Sequence, residues 1–195
     1  MGIGYKRTDS VGDISVFQGT GKDIQLAQGG FLLEKGGLAD GTLVKAGTPV
    51  VFDEATRKAK IIPTGKIVEV AAADAVTYKV AKGHTFKVGD NFASKPSDKA
   101  YAITAINTAN VDYDTITVGT TIGAVAANAL VFGSSTTGAN NSSFGGVNGL
   151  LYRDQKIGDK ESCSVVIRGT VYARRVPYSA GLETALPRII YSQSF

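Results

Sequence analysis

The strongest constraint on the fold is a run near the C-terminus, Cys163 to Arg174, whose residues alternate with a period of two. Cys163, Val165, Ile167, Gly169, Val171 and Ala173 fall on one face, and Ser164, Val166, Arg168, Thr170, Tyr172 and Arg174 on the other. Successive side chains of a β-strand point to opposite faces, so this pattern predicts a long half-buried strand, stopped by Pro177. Shorter strands are expected at Thr42–Lys45, Pro49–Phe52, Lys60–Ile62, Ile67–Val70, Thr77–Val80, Tyr101–Asn107, Thr115–Val118 and Arg188–Ser192, with turn formers at 53–56, 89–91, 95–98 and 158–160 between them. Many short strands spaced by turns predict an all-β fold, sandwich or barrel, with little helix. Ile122–Val131 suits a short helix or a loop, and Ala180–Ala185 a turn of helix ended before Pro187.

Two segments differ in texture. Residues 1–28 are polar and glycine-rich, with isolated apolar residues Ile14, Val16 and Phe17, so they are expected to form a flexible N-terminal arm ordered by a partner. Residues 133–149 (GSSTTGANNSSFGGVNG) are small and polar and read as a linker or long loop. No tandem repeat is evident.

Composition excludes several kinds of chemistry. The chain has 195 residues, 43% of them hydrophobic, enough for one domain or two small ones. With one His and one Cys, an internal disulfide or a His/Cys zinc site is excluded, and Cys163 is expected as a reduced, buried thiol. The net charge of +4 is mild and unevenly spread: residues 66–149 are balanced and contain no arginine, while Arg168, Arg174, Arg175 and Arg188 gather near the C-terminus. That is no polycation, so no direct contact with nucleic acid is expected. There is no signal-peptide pattern and no run of ~20 apolar residues, which points to synthesis in a cytoplasm and no membrane contact.

The search for catalytic machinery returns nothing. Gly21-Lys22 and Gly65-Lys66 lack the glycine five residues before and the hydroxyl after that a phosphate loop needs. His84 reads as an exposed turn residue and is the only imidazole available to Cys163. Asp112 and Asp114 share a strand face near a turn and read as solvated carboxylates rather than a glycosidase or calcium pair. No catalytic, cofactor-binding or metal-ligating residue is therefore assigned, and no cofactor is expected. Arg174-Arg175, followed by Val176-Pro177-Tyr178, suits either an acidic partner or an edge strand guarded by charge.

Two blocks carry a resemblance. Gly41-Thr42-Leu43-Val44-Lys45-Ala46-Gly47-Thr48-Pro49-Val50 resembles the opening "G-T-hydrophobic-x-x-G" pattern of tailed-phage head decoration proteins, the lambda type included. Asn148-Gly149-Leu150-Leu151-Tyr152-Arg153-Asp154, followed by Val165-Val166-Ile167-Arg168-Gly169-Thr170-Val171, is similar to that family's later segments. The blocks cover about a third of the chain, and the intervening stretch makes it also similar to head-fibre or auxiliary capsid proteins of Bacteroides-type phages and prophages.

The resemblance implies a discontinuous β base at 29–65 plus 136–195, with a small β-barrel inserted at 66–135. It implies a non-enzymatic virion protein, made in the host bacterial cytoplasm and carried on the capsid exterior as a homotrimer bound to the major capsid protein. Ile14, Val16 and Phe17 are the expected capsid contacts, by pairing of the arm with coat-protein strands. Tyr152, Arg174 and Arg175 are the expected partner or subunit interface. The alternative is a head-fibre module that binds a host receptor or surface glycan through the insert.

Overall fold

The computed structural model describes residues 15–19, 22–158 and 161–193. In chain order its strands are β1 (Phe17–Gln18), β2 (Gln25–Leu26), β3 (Phe31–Leu33), β4 (Leu43–Val44), β5 (Pro49–Asp53), β6 (Lys58–Ile61), β7 (Thr64–Lys66), β8 (Thr77–Ala81) and β9 (Asn91–Ala93). They continue with β10 (Ala100–Asn107), β11 (Tyr113–Val118), β12 (Leu130–Ser134), β13 (Gly149–Leu151), β14 (Gln155–Lys156), β15 (Ser162–Cys163), β16 (Val165–Tyr172) and β17 (Ile189–Ser192). The one helix among the described residues is α1 (Ala180–Ala185), capped by Ser179 Oγ accepting from Leu182 N–H and ended by Leu186 before Pro187. The protein is all-β.

A nine-stranded sheet runs β1-β16-β13-β5-β6-β3-β15, with β17 and β2 also paired to β16. Only Ser164 separates β15 from β16, so this sheet starts and finishes on one run of chain and curls back on itself. Its interior holds Phe31, Leu33, Val44, Val50, Ala59, Ile61, Leu151, Cys163 and Val165. A six-stranded sheet, β7-β12-β9-β10-β11-β8, is formed wholly within residues 64–134. It curls into a partial barrel, where Val68 N–H donates to Lys79 C=O and Ile67 bridges Val80 across the seam between β7 and β8. Tyr78, Val80, Phe92, Ile103, Ile116, Val118 and Val131 fill it.

A third apolar cluster joins the two sheets: Ala93, Ala100 and Phe132 meet Phe144, Leu150, Val166 and Leu182. The Phe132 and Phe144 rings stack with centroids 4.0 Å apart. Burying a side chain of this size stabilises the fold by roughly 1.5–3 kcal/mol, so these rings bind the two sheets firmly.

Four expectations are corrected. The long C-terminal strand breaks at Ser164, and both of its faces are covered, Val165 by the base interior and Val166 by the cluster between the sheets, so they are not simply wet and dry. Ile67–Val70 is no strand beyond the Ile67 bridge, and Ile122–Val131 contains no helix: Val125 bridges Ala71 and Leu130 opens β12. The 133–149 segment is pinned rather than free. Ser142 Oγ donates to Lys95 C=O at 2.5 Å and accepts from Asp98 N–H at 2.9 Å, while Phe144 is buried.

The arm expected over 1–28 belongs to the base sheet from residue 15 onward. β1 pairs antiparallel with β16, Phe17 facing Val171, and β2 pairs with the same strand further back. β16 is long enough to accept partners on both edges along its whole length, which gives the sparse apolar residues Val16, Phe17 and Ile24 a core to join.

Candidate functional site

Several residues singled out in the sequence converge where the N-terminal segment enters the sheet. Arg175 Nη1 donates to Ser15 C=O at 2.7 Å, and its guanidinium lies 4.3 Å from the centre of the Tyr172 ring. Tyr172 N–H donates to Val16 C=O at 3.1 Å, continuing the β1–β16 ladder. The Phe17 ring packs 5.6 Å from Tyr152. Gly47, at φ +80°, lies directly beneath Val16 and Val176; a Cβ there would strike both, so only glycine lets them close over the turn.

Val16, Phe17, Tyr152 and Arg175 thus form one assembly, with Arg174 adjoining. Ile14 lies outside the described residues. One expectation changes here: Phe17 is only 7% exposed, so its ring serves this chain's own core and is no free anchor for a coat protein.

Beside this root a cleft of about 470 Å³ opens between the two sheets. Residues 43–48 and 173–178 of the base line one side, and 64–66, 81–85 and 128–130 the other. Lys45, Lys66, Lys82, Arg174 and Arg175 all contribute to its walls, and no Asp or Glu does. Among the described residues, no carboxylate pairs with Lys45 or Lys66. Both lysines are exposed, so the cleft has a positive mouth.

The inner end of the cleft overturns two sequence expectations. His84 is no exposed turn residue, because its imidazole is only 6% exposed. Asp114 is no solvated carboxylate but is buried, with Lys82 Nζ 2.5 Å from Oδ1 and His84 Nε2 3.1 Å from Oδ2. The cause is register: Val80 faces Asp114 in the β8–β11 ladder, so Lys82 and His84, just past β8, fold back onto it. A signal for this was present. Asp114, Ile116 and Val118 share the inward phase of β11, which argues that Asp114 points inward too.

This cluster is a structural clip, not a catalytic one. His84 Nδ1 accepts from Phe86 N–H at 3.2 Å, which leaves Nε2 to carry the proton of the neutral ring toward Asp114. The 3.1 Å contact is electrostatic, since Nε2 is off hydrogen-bond alignment. Burial depresses the His84 pKa, opposed by Asp114 and reinforced by Lys82, so the ring is neutral at pH 7. With one nitrogen occupied by backbone and the other turned to Asp114, the ring has no site left to take a proton from a nucleophile.

Cys163 is equally poorly placed for chemistry. It lies in the base interior, where burial pushes its thiol up to about 11. Among the described residues no three His, Cys, Asp or Glu side chains gather as metal ligands, and no helix is long and apolar enough to cross a membrane. Comparison with known proteins identifies no relative: no protein-family model, no curated protein and no solved structure matches the chain.

Proposed function

We propose that this chain is a non-enzymatic structural protein of a phage virion that decorates or cements the outer capsid surface. One observation carries the reading. The blocks that resemble phage decoration proteins, about 100 positions apart in the chain, lie side by side as β5, β13 and β16, with Gly149 facing Val50 and Leu150 facing both Pro49 and Val166. A shared pattern whose separated parts form one continuous patch of sheet is what a common structural base requires.

In this reading residues 1–14 do the gripping, and β1 with Arg175 is the fixed root from which they act. They add to the edge of a coat-protein strand, where main-chain hydrogen bonds supply the affinity. Each grip is weak alone; three on a homotrimer raise the effective concentration and strengthen binding by ~10²–10⁴. The six-stranded half, balanced in charge and free of arginine, faces away from the shell.

Deleting residues 1–14 tests this while sparing β1. The truncated protein should keep the circular dichroism of the full chain yet lose binding to expanded, undecorated phage heads. Undiminished binding would refute the gripping role. Light scattering should give a trimer, and a strict monomer at high concentration would remove the avidity argument.

A further inference from the structure

We propose that the cleft between the two sheets is a binding site for a carboxylate-bearing saccharide. This stands apart from the capsid reading and survives its failure, because it rests only on the walls of the cleft.

Charge is the first argument. Five cationic residues line a space of about 470 Å³ with no carboxylate in its walls. Three of the five are committed within the chain: Lys82 holds Asp114, Arg175 holds the Ser15 carbonyl, and Arg174 has a partner of its own. Lys45 and Lys66, from opposite sides, have no carboxylate partner among the described residues. Lysines facing one another across a gap repel, and an anion between them relieves that repulsion.

The second argument is a hydroxyl left without a partner. Thr85 stands between this cleft and a neighbouring cavity that holds Lys60, Lys87 and Asp90, is 8% exposed, and its buried Oγ1 makes no hydrogen bond. An unsatisfied buried hydroxyl is destabilising and rare in a native fold. A polar ligand reaching the inner end of the cleft would satisfy it.

The remaining walls favour a sugar over a peptide. Thr48, Thr64 and the Asn128 amide add polar groups, and Tyr178 presents a ring 37% exposed. That ring is fixed, with its hydroxyl donating to Glu183 and its face 5.3 Å from Tyr191. β7 at this wall pairs with β12 along one edge, and the chain just beyond it bridges to β8 at Ile67. Hydroxyls, an amide, a rigid ring and cations together suit a ring sugar bearing a carboxylate.

Calorimetric titration of the full chain at low salt tests the assignment, with trigalacturonate, the neutral maltotriose and a Glu-rich hexapeptide as probes. Trigalacturonate should bind, and maltotriose at least tenfold more weakly. A Lys45→Gln/Lys66→Gln variant, or 0.5 M NaCl, should weaken the trigalacturonate complex at least tenfold. Thr85→Val should also weaken it while leaving the melting temperature equal or higher, a pairing that a merely structural threonine would not produce.

No binding at millimolar trigalacturonate would overturn the proposal, as would equal binding of maltotriose or indifference to the double lysine variant. Tighter binding of the hexapeptide would reassign the cleft to an acidic protein segment.

Discussion

The two sheets reach similarly curled shapes by different routes. The six-stranded one is assembled from a single continuous run, residues 64–134, in which β9 meets β10 and β10 meets β11 directly, while β8 with β11, β9 with β12 and β7 with β12 close over short stretches of that same run. The nine-stranded one draws β1–β3, β5 and β6 from one side of that run and β13 and β15–β17 from the other, so its central pairings, β5 with β13 and β13 with β16, join distant parts of the chain. Their interiors differ as well. The base buries the Cys163 thiol and the Tyr191 phenol, both with pKa values raised by burial, while the smaller sheet ends in the Lys82–Asp114–His84 clip. Local connectivity and a charged clip mark a self-sufficient unit. Distant connectivity marks one whose halves need each other.

The sharpest way to break this contrast is to separate the parts. A fragment of residues 64–134 should fold alone, with dispersed amide resonances, because it carries its own core and domains of about 60–70 residues can be independently stable. A fragment of residues 136–195 should not. An unfolded 64–134 fragment would show that the inter-sheet cluster around Phe132 is indispensable to it.

Next in size is Phe92→Ala. Phe92 is fully buried between Tyr78 and Phe86, and its loss should destabilise the smaller sheet by about 3–5 kcal/mol. Hydrogen exchange should speed up in β8–β11 before it does in β16.

Gly149→Ala probes the other side. A Cβ at Gly149 would run into Val165 and approach Val166 C=O to 2.9 Å, and backbone cannot step aside as a flexible side chain can. The predicted loss is roughly 1–3 kcal/mol, read as a lower denaturant midpoint confined to the base.

How much of this was legible beforehand follows the same division. β5, β8, β10, β11 and β17 lie where alternation placed them, and Ala180–Ala185 is the helix that Ser179 and Pro187 bracket. β1, β2, β3 and β15 escaped notice because each has only two or three residues, too few to show a period. β1 and β2 exist because β16 offers them edges, and β15 and β3 because they pair with each other, with β6 on the far side of β3, all tertiary facts. Asn91 read as a turn yet opens β9, since Phe92 is claimed by the barrel interior.

The cleft was half visible. Arg174 and Arg175 stood out as adjacent charges, but Lys45 joins them only through the fold of the base, and Lys66 and Thr85 only through the packing of one sheet on the other. His84 and Asp114 looked solvated because local sequence does not reveal the register that buries them together.

Smaller effects sharpen the comparison further. The folded-state pKa of His84 lies below its ordinary 6.5, so the unfolded chain binds the proton more readily. The stabilising contribution is therefore whole above about pH 6.5 and is lost as pH falls below it, with a slope of at most ~1.4 kcal/mol per pH unit. Thermal melts from pH 7.5 down to 5 should show this decline, and His84→Gln should flatten it. Smallest of all, Cys163 should resist a thiol reagent at pH 8 in the native protein and react fully in denaturant.

The closure of the base on a single run of chain sets a schedule during synthesis. The ribosome delivers β6 long before it delivers β13 and β16, and at 5–20 residues per second that interval is roughly 5–20 s. Throughout it the early half-sheet has no mate. The 64–134 unit emerges in the gap and can finish folding while the first strands wait, so the nascent chain holds a completed domain beside an incomplete one. Whatever shields those waiting strands, whether chaperone or the newly folded neighbour, decides the yield of the protein in the cell.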